Sequence, residues 1–225
     1  MEETAKRVIC ENKDTELVFI IDKSGSMAGF ESDTVGGFNA TVEGQRTGEG
    51  RVYVSSVLFD TESRVLHDRV DIEDVKPMTK EDFRVGGCTA LYDAVGDAIK
   101  HIASIHKYAR PEDVPEHTIV IITTDGMENA SNRYSAARVK EMIECRRENY
   151  NWEFIFLAAN IDAVGTAENI GIKRERAVNY NRDCAGIQVT YEAMSEAITA
   201  MRCSHTLDAG EWRKNLDKDN KRRRK

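Results

Sequence analysis

Asp22, Ser24 and Ser26 stand at alternate positions of Asp22-Lys23-Ser24-Gly25-Ser26, one carboxylate and two hydroxyls directly after the apolar run Leu17-Val18-Phe19-Ile20-Ile21. Gly25 lets the backbone turn tightly enough for both hydroxyls to aim at one point. Such a cluster of oxygens suits a hard cation. A second β-branched run, Ile119-Val120-Ile121-Ile122, ends in Thr123-Thr124-Asp125-Gly126 and so repeats the theme of an apolar segment closed by an acid. Between the two, Gly86-Gly87-Cys88-Thr89-Ala90-Leu91 opens a helical pattern. Its glycines permit close backbone approach, and Thr89 is placed either to cap the helix or to bind something above it.

These residues need strands beneath them. Continuous apolar runs rich in branched side chains read as strands buried on both faces. In an open α/β sheet, ligands bind beyond the carboxyl ends of such strands, where the strand order reverses. Further strands are expected at Arg51 to Phe59, Ser63 to Val70, Trp152 to Ala159 and Glu175 to Tyr180. Only Asp60-Thr61-Glu62 separates the second strand from the third, too few residues for a parallel crossover, so these two form a hairpin with the third antiparallel at an edge. Helical spacing predicts helices over Gly29 to Gln45, from Leu91 with a stripe of Val95, Ala98, Ile99 and Ile102, over Ser135 to Tyr150, Asp162 to Asn169 and Gly186 to Cys203. Residues 71–85 read as a loop with a turn of helix near Lys80 to Phe83. Strands alternating with helices imply an α/β fold with a mostly parallel, doubly wound sheet.

The 225 residues suffice for one sizeable core. Charged residues make up 32% of the chain, as in proteins with a well-solvated surface, and no apolar run approaches the length that spans a bilayer. No signal peptide is read at the N-terminus, which places the expected compartment in the cytoplasm. Cysteines at 10, 88, 145, 184 and 203 show no zinc-like spacing and are expected to be reduced, with Cys145 and Cys203 buried as small apolar groups within helices.

With Asp22-Lys23-Ser24-Gly25-Ser26, Thr89 in Gly87-Cys88-Thr89-Ala90-Leu91, and Asp125 in Thr123-Thr124-Asp125-Gly126, the chain resembles von Willebrand factor A domains that carry a metal-ion-dependent adhesion site. The resemblance runs over about residues 15–203, with its three motifs in the order the topology demands. It implies a Rossmann-like sheet of six strands in the order 3-2-1-4-5-6, strand 3 antiparallel, with helices on both faces. It further implies that Ser24, Ser26 and Thr89 bind Mg²⁺ or Mn²⁺ through their hydroxyls, and that Asp22 and Asp125 act through water or through those hydroxyls. A metal held so largely by neutral oxygens can take an Asp or Glu from a partner protein. Residues 211–225 carry a net +5, which leaves −12 for residues 1–210 against the total of −7. A cation is therefore what would let this surface receive an acidic partner.

The expected organisation is a lead-in over residues 1–14, the domain over 15–203, and a basic, disordered tail over 204–225. Nucleic acid would be reached only through that tail, whose basic run lacks interleaved aromatics. The competing class is a phosphoryl-transfer enzyme using Asp22 as nucleophile with Mg²⁺. Such enzymes carry a second Asp two residues on, where this chain has Ser24. A third possibility is a structural metal in an assembly subunit, and the oligomeric state is left open. Asp93 reads as a helix-dipole partner, Glu128 and Asn129 as a solvated loop, Asp162 as a helix cap, and Cys88 as a packing residue.

Overall fold

The structure, a computed structural model, describes residues 14–159, 161–204 and 212–223. Its elements are β1 (Thr15–Asp22), α1 (Glu31–Gly44), β2 (Val52–Phe59), β3 (Ser63–Asp71), α2 (Leu91–Tyr108), β4 (His117–Thr124), α3 (Ala136–Tyr150), β5 (Trp152–Ala158), α4 (Ala163–Asn169), β6 (Ala177–Asn179), α5 (Cys184–Ser204) and α6 (Lys214–Arg223). The six strands form one sheet in the order β3-β2-β1-β4-β5-β6. All neighbours are parallel except β3, which runs antiparallel to β2 as the three-residue connection demands.

The reason β1 is a continuous apolar run is visible in what its two faces touch. Leu17, Phe19 and Ile21 enter one core with Phe38 of α1 and Ile198 and Met201 of α5. Val18 and Ile20 enter the other with Leu91, Val95 and Ile99 of α2 and Val139 and Ile143 of α3. With both faces covered, alternation of polar and apolar residues has no place in the strand. Each such fully buried aliphatic side chain contributes about 1.5–3 kcal/mol, which holds the ends of β1 and β4 in fixed register. Ile21 lies opposite Thr123 on β4 and Leu58 on β2. The chain leaves β1 toward β2 and leaves β4 toward β5, so the crevice between their carboxyl ends is the switch point.

Helix ends follow the local chemistry. Ser135 caps α3 by accepting from the Arg138 N–H at 3.2 Å, and Asp162 caps α4 by accepting from the Gly165 N–H at 3.0 Å, as expected of it.

A single helical turn closes over Thr79 to Phe83, as expected, the Phe83 N–H donating to the Thr79 carbonyl at 3.2 Å, and three other expectations are corrected. Cys145 and Cys203 are exposed rather than buried, since α3 turns Val139 and Ile143 inward and the last turn of α5 turns Met201 inward. Cys88 is also exposed and is not a packing residue. Finally, the tail is ordered over residues 212–223: Trp212 and Leu216 are buried in the core beside α5, and their burial fixes α6 although most of its other residues are polar. The lead-in up to residue 13 and Cys10 lie outside the described residues. Among the described residues, no helix is long and apolar enough to cross a membrane.

Candidate metal centre

Asp22 ends β1 fully buried, and its two oxygens are both used. Oδ1 accepts from the Ser24 N–H at 2.7 Å and Oδ2 from the Thr124 hydroxyl at 2.6 Å. The first bond shapes the turn, and the second ties the end of β1 to the end of β4. Burial pushes the Asp22 carboxyl above its ordinary range; the Thr124 and Ser24 hydrogen bonds oppose that, and the nearby charge of Asp125 adds to it. Gly25–Met27 form one 3₁₀ turn, which brings the Ser24 and Ser26 hydroxyls within 3.0 Å of each other. Asp125, 2% exposed, accepts a short hydrogen bond from the Ser26 hydroxyl through Oδ1.

Thr89 arrives from a third segment. The residue at the N-cap of α2 is Ala90, so the Thr89 hydroxyl does not cap the helix. Its backbone is clamped instead: the Thr89 N–H donates to Asn129 Oδ1 at 2.9 Å, and its carbonyl accepts from the Asn129 N–H at 3.0 Å. The glycines before it do what their type permits. Gly25 N–H donates to the Gly87 carbonyl at 3.2 Å, and Gly86 N–H to the Lys23 carbonyl at 3.0 Å. Gly87 has φ +69°, and a Cβ there would sit 2.8 Å from Thr61 Oγ1, so a larger residue would force the loops apart.

How closely the three segments converge is measured at Gly126. A methyl group on Gly126 would lie 2.9 Å from Thr89 Oγ1, 3.3 Å from Ser26 Oγ and 3.8 Å from Ser24 Oγ. Three hydroxyl oxygens thus converge on the side-chain position that Gly126 leaves bare, and the buried carboxylates of Asp22 and Asp125 are hydrogen-bonded to the Ser24 N–H and the Ser26 hydroxyl beside it. Among the described residues, no three His, Cys, Asp or Glu side chains come together as a metal cluster. A cation here would therefore rest on hydroxyls first, which is the chemistry of a hard ion such as Mg²⁺.

Several supporting residues have partners that the sequence does not reveal. Glu128 and Asn129 lie in a loop, as expected, with Asn129 exposed, but the loop is tied down: Glu128 accepts from the Tyr92 N–H at 2.9 Å and the Ser131 N–H at 2.7 Å, and so braces the start of α2. Asp93 is more than a dipole partner. Only 4% exposed, it accepts from the backbone N–H groups of Asn132, Arg133 and Tyr134 at 2.9–3.1 Å, which pins the segment after Asp125 onto α2. Burial alone would raise its carboxyl, and the N–H groups of Asn132, Tyr134 and Arg133 more than reverse this, leaving it below the ordinary range. Arg182, between β6 and α5, places Nε 2.8 Å from Asp125 Oδ2 and went unnoticed because its position in the sequence carries no motif.

The pattern of the sequence matches a family described as VWA domain containing CoxE-like protein, over residues 3–149. The chain belongs to that family. Solved structures agree on the fold. A von Willebrand factor type A protein from Catenulispora acidiphila matches at TM-score 0.56 and 15% identity, over 82% of this chain and 42% of its own. The vWF domain of the type V pili tip protein Mfa5 from Porphyromonas gingivalis matches at TM-score 0.63 and 11% identity, over 88% of this chain and 97% of its own. Proximal thread matrix protein 1 from the mussel byssus, with a zinc-occupied MIDAS motif, matches at TM-score 0.55 and 16% identity, over 81% and 45%. This VWA chain thus spans less than half the length of the first and last of these. No curated protein matches the sequence.

Proposed function

We propose that this VWA domain is a metal-dependent protein-interaction module. The observation that carries the reading is the convergence of the Ser24, Ser26 and Thr89 hydroxyls around the open side of Gly126. When bound there, Mg²⁺ or Mn²⁺ supplies positive charge and a coordination position open to an acidic side chain. The chain's own residues do the rest. Ser24, Ser26 and Thr89 present neutral oxygens; Asp125 orients the Ser26 hydroxyl; Asp22 holds the turn through the Ser24 N–H and ties it to Thr124. Because the direct oxygens are neutral, the ion keeps most of its charge for an Asp or Glu of a partner protein. The acidic body of the chain would otherwise repel that partner.

A binding role is favoured over phosphoryl transfer by Ser24, which stands where a second Asp would move the proton and whose hydroxyl faces Ser26 instead. The experiment is affinity capture from lysate by wild type, Asp22→Ala and Thr89→Ala, each with Mg²⁺, Mn²⁺, Zn²⁺ or excess EDTA. Partners retained by wild type with metal should be lost with EDTA and with either variant. Capture undiminished by EDTA would defeat the reading, as would Mg²⁺-dependent turnover of a phosphate ester that disappears in Asp22→Asn.

A further inference from the structure

The guanidinium of Arg182 carries the charge sign of the proposed ligand and lies against Asp125. Its Nε lies 2.8 Å from Asp125 Oδ2, and its Nη2 donates to the Ser26 carbonyl. Its Cζ lies over the Phe30 ring, 4.9 Å from the centroid. Asp125 is fully buried in its side chain, whereas that of Arg182 is 31% exposed, so the arginine reaches in from the rim and keeps a path back to solvent. The contact with Asp125 is close, yet Nε–H does not point at the carboxylate: neither atom has an aligned hydrogen-bond partner among the described residues. Charge holds the pair together more than hydrogen-bond geometry does.

We infer that Arg182 is a tethered cation that competes with the metal for Asp125 and so sets how tightly this site binds a divalent ion. The inference rests on the metal reading above. A positive charge in contact with Asp125 cancels part of the field that draws a cation to the hydroxyls, and a divalent ion entering beside it meets direct repulsion. Before the ion can use the full charge of Asp125, the guanidinium must slide off toward the rim. Phe30 provides the resting surface that favours the docked position. The ordinary alternative is that Arg182 only clasps the loop through the Ser26 carbonyl. The two roles predict opposite signs, because loss of a clasp loosens the hydroxyls and weakens metal binding, while loss of a competitor strengthens it.

Mn²⁺ binding to the full chain, measured by titration calorimetry, separates them. Arg182→Met keeps the length and apolar stem of the side chain and removes the charge; it should bind Mn²⁺ roughly tenfold more tightly than wild type. Arg182→Lys, which keeps the charge, should stay close to wild type. Phe30→Leu leaves Arg182 in place and removes its resting surface, and should tighten binding by a smaller factor in the same direction, which keeps the question decidable if Arg182→Met folds poorly. The gain should shrink as ionic strength rises, since screening weakens the competing charge. Equal or weaker binding by both Arg182→Met and Phe30→Leu would overturn the competitor role while leaving the metal site standing. Absence of Mn²⁺ binding by wild type and both variants alike would overturn the metal reading and this inference together.

Discussion

Glu16 and Asp22 are carboxylates on the same strand, six positions apart, and both are fully buried. Their surroundings differ in kind. At the start of β1, Glu16 Oε2 meets Arg69 Nε at 2.9 Å, with His106 Nε2 at 3.4 Å, and the Arg69 guanidinium lies 4.3 Å over the Tyr53 ring. At the other end, Asp22 is met by a backbone N–H and a threonine hydroxyl, both neutral. A buried acid is costly unless something compensates it. At one end of the strand the chain compensates it with its own arginine. At the other it uses dipoles, and the negative potential that remains is what an external cation can answer. Buried acid alone therefore does not mark a site.

The sharpest way to break this contrast is Arg69→Met. It leaves Glu16 buried without its cation and should cost about 3–5 kcal/mol in urea unfolding, while Mn²⁺ binding by the folded fraction stays as in wild type. A variant as stable as wild type would show that the two ends of β1 are not different after all. Asp93→Ala should cost somewhat less, about 2–3 kcal/mol, by stranding the backbone N–H groups of Asn132, Arg133 and Tyr134.

That second effect carries a pH signature. The folded Asp93 carboxyl titrates below its ordinary value, its backbone hydrogen bonds outweighing burial. Its contribution is complete above the unfolded pKa of about 3.9 and is lost as pH falls through the lower folded value. The stability gap between wild type and Asp93→Ala should accordingly close on acidification below about pH 4. A gap that persists under acid would mean that packing, not the charge, is what Asp93 supplies.

The smallest change in the metal-free fold is expected from Thr89→Val, below about 1 kcal/mol, because shape is kept and only one hydroxyl is lost. Its effect should appear on adding Mg²⁺. Wild type should gain about 2.7 kcal/mol at a hundredfold excess of metal over Kd, seen as a rise in Tm, and Thr89→Val should gain little or nothing. Gly126→Ala should behave alike, its methyl group filling the space among the three hydroxyls. Equal Mg²⁺-induced shifts in all three chains would place the cation elsewhere.

Much of the layered fold was legible from single stretches of sequence. Asp60-Thr61-Glu62 is too short for a crossover, and β3 is antiparallel in consequence. The apolar runs ending in Asp22 and Asp125 became adjacent strands. What misled was local reading of residues whose partners are distant. Asp93 looked like a helix-dipole acid because its partners lie about 40 positions on, and the tail looked disordered because Trp212 and Leu216 are only two apolar residues among charges, with the core that receives them elsewhere in the chain.

By itself the sequence determined which residue types stand at the ends of the buried strands, since apolar continuity and Gly-containing turns are properties of neighbours along the chain. Which oxygens meet was decided only by the tertiary structure. Ser26 and Asp125, Thr89 and Gly126, and Asp125 and Arg182 are brought together by sheet order and loop packing. Electrostatic and hydrogen-bond contacts act over a few ångströms of space regardless of the number of residues between them, so Arg182, in the loop before α5, meets Asp125 with no sign of it in the sequence.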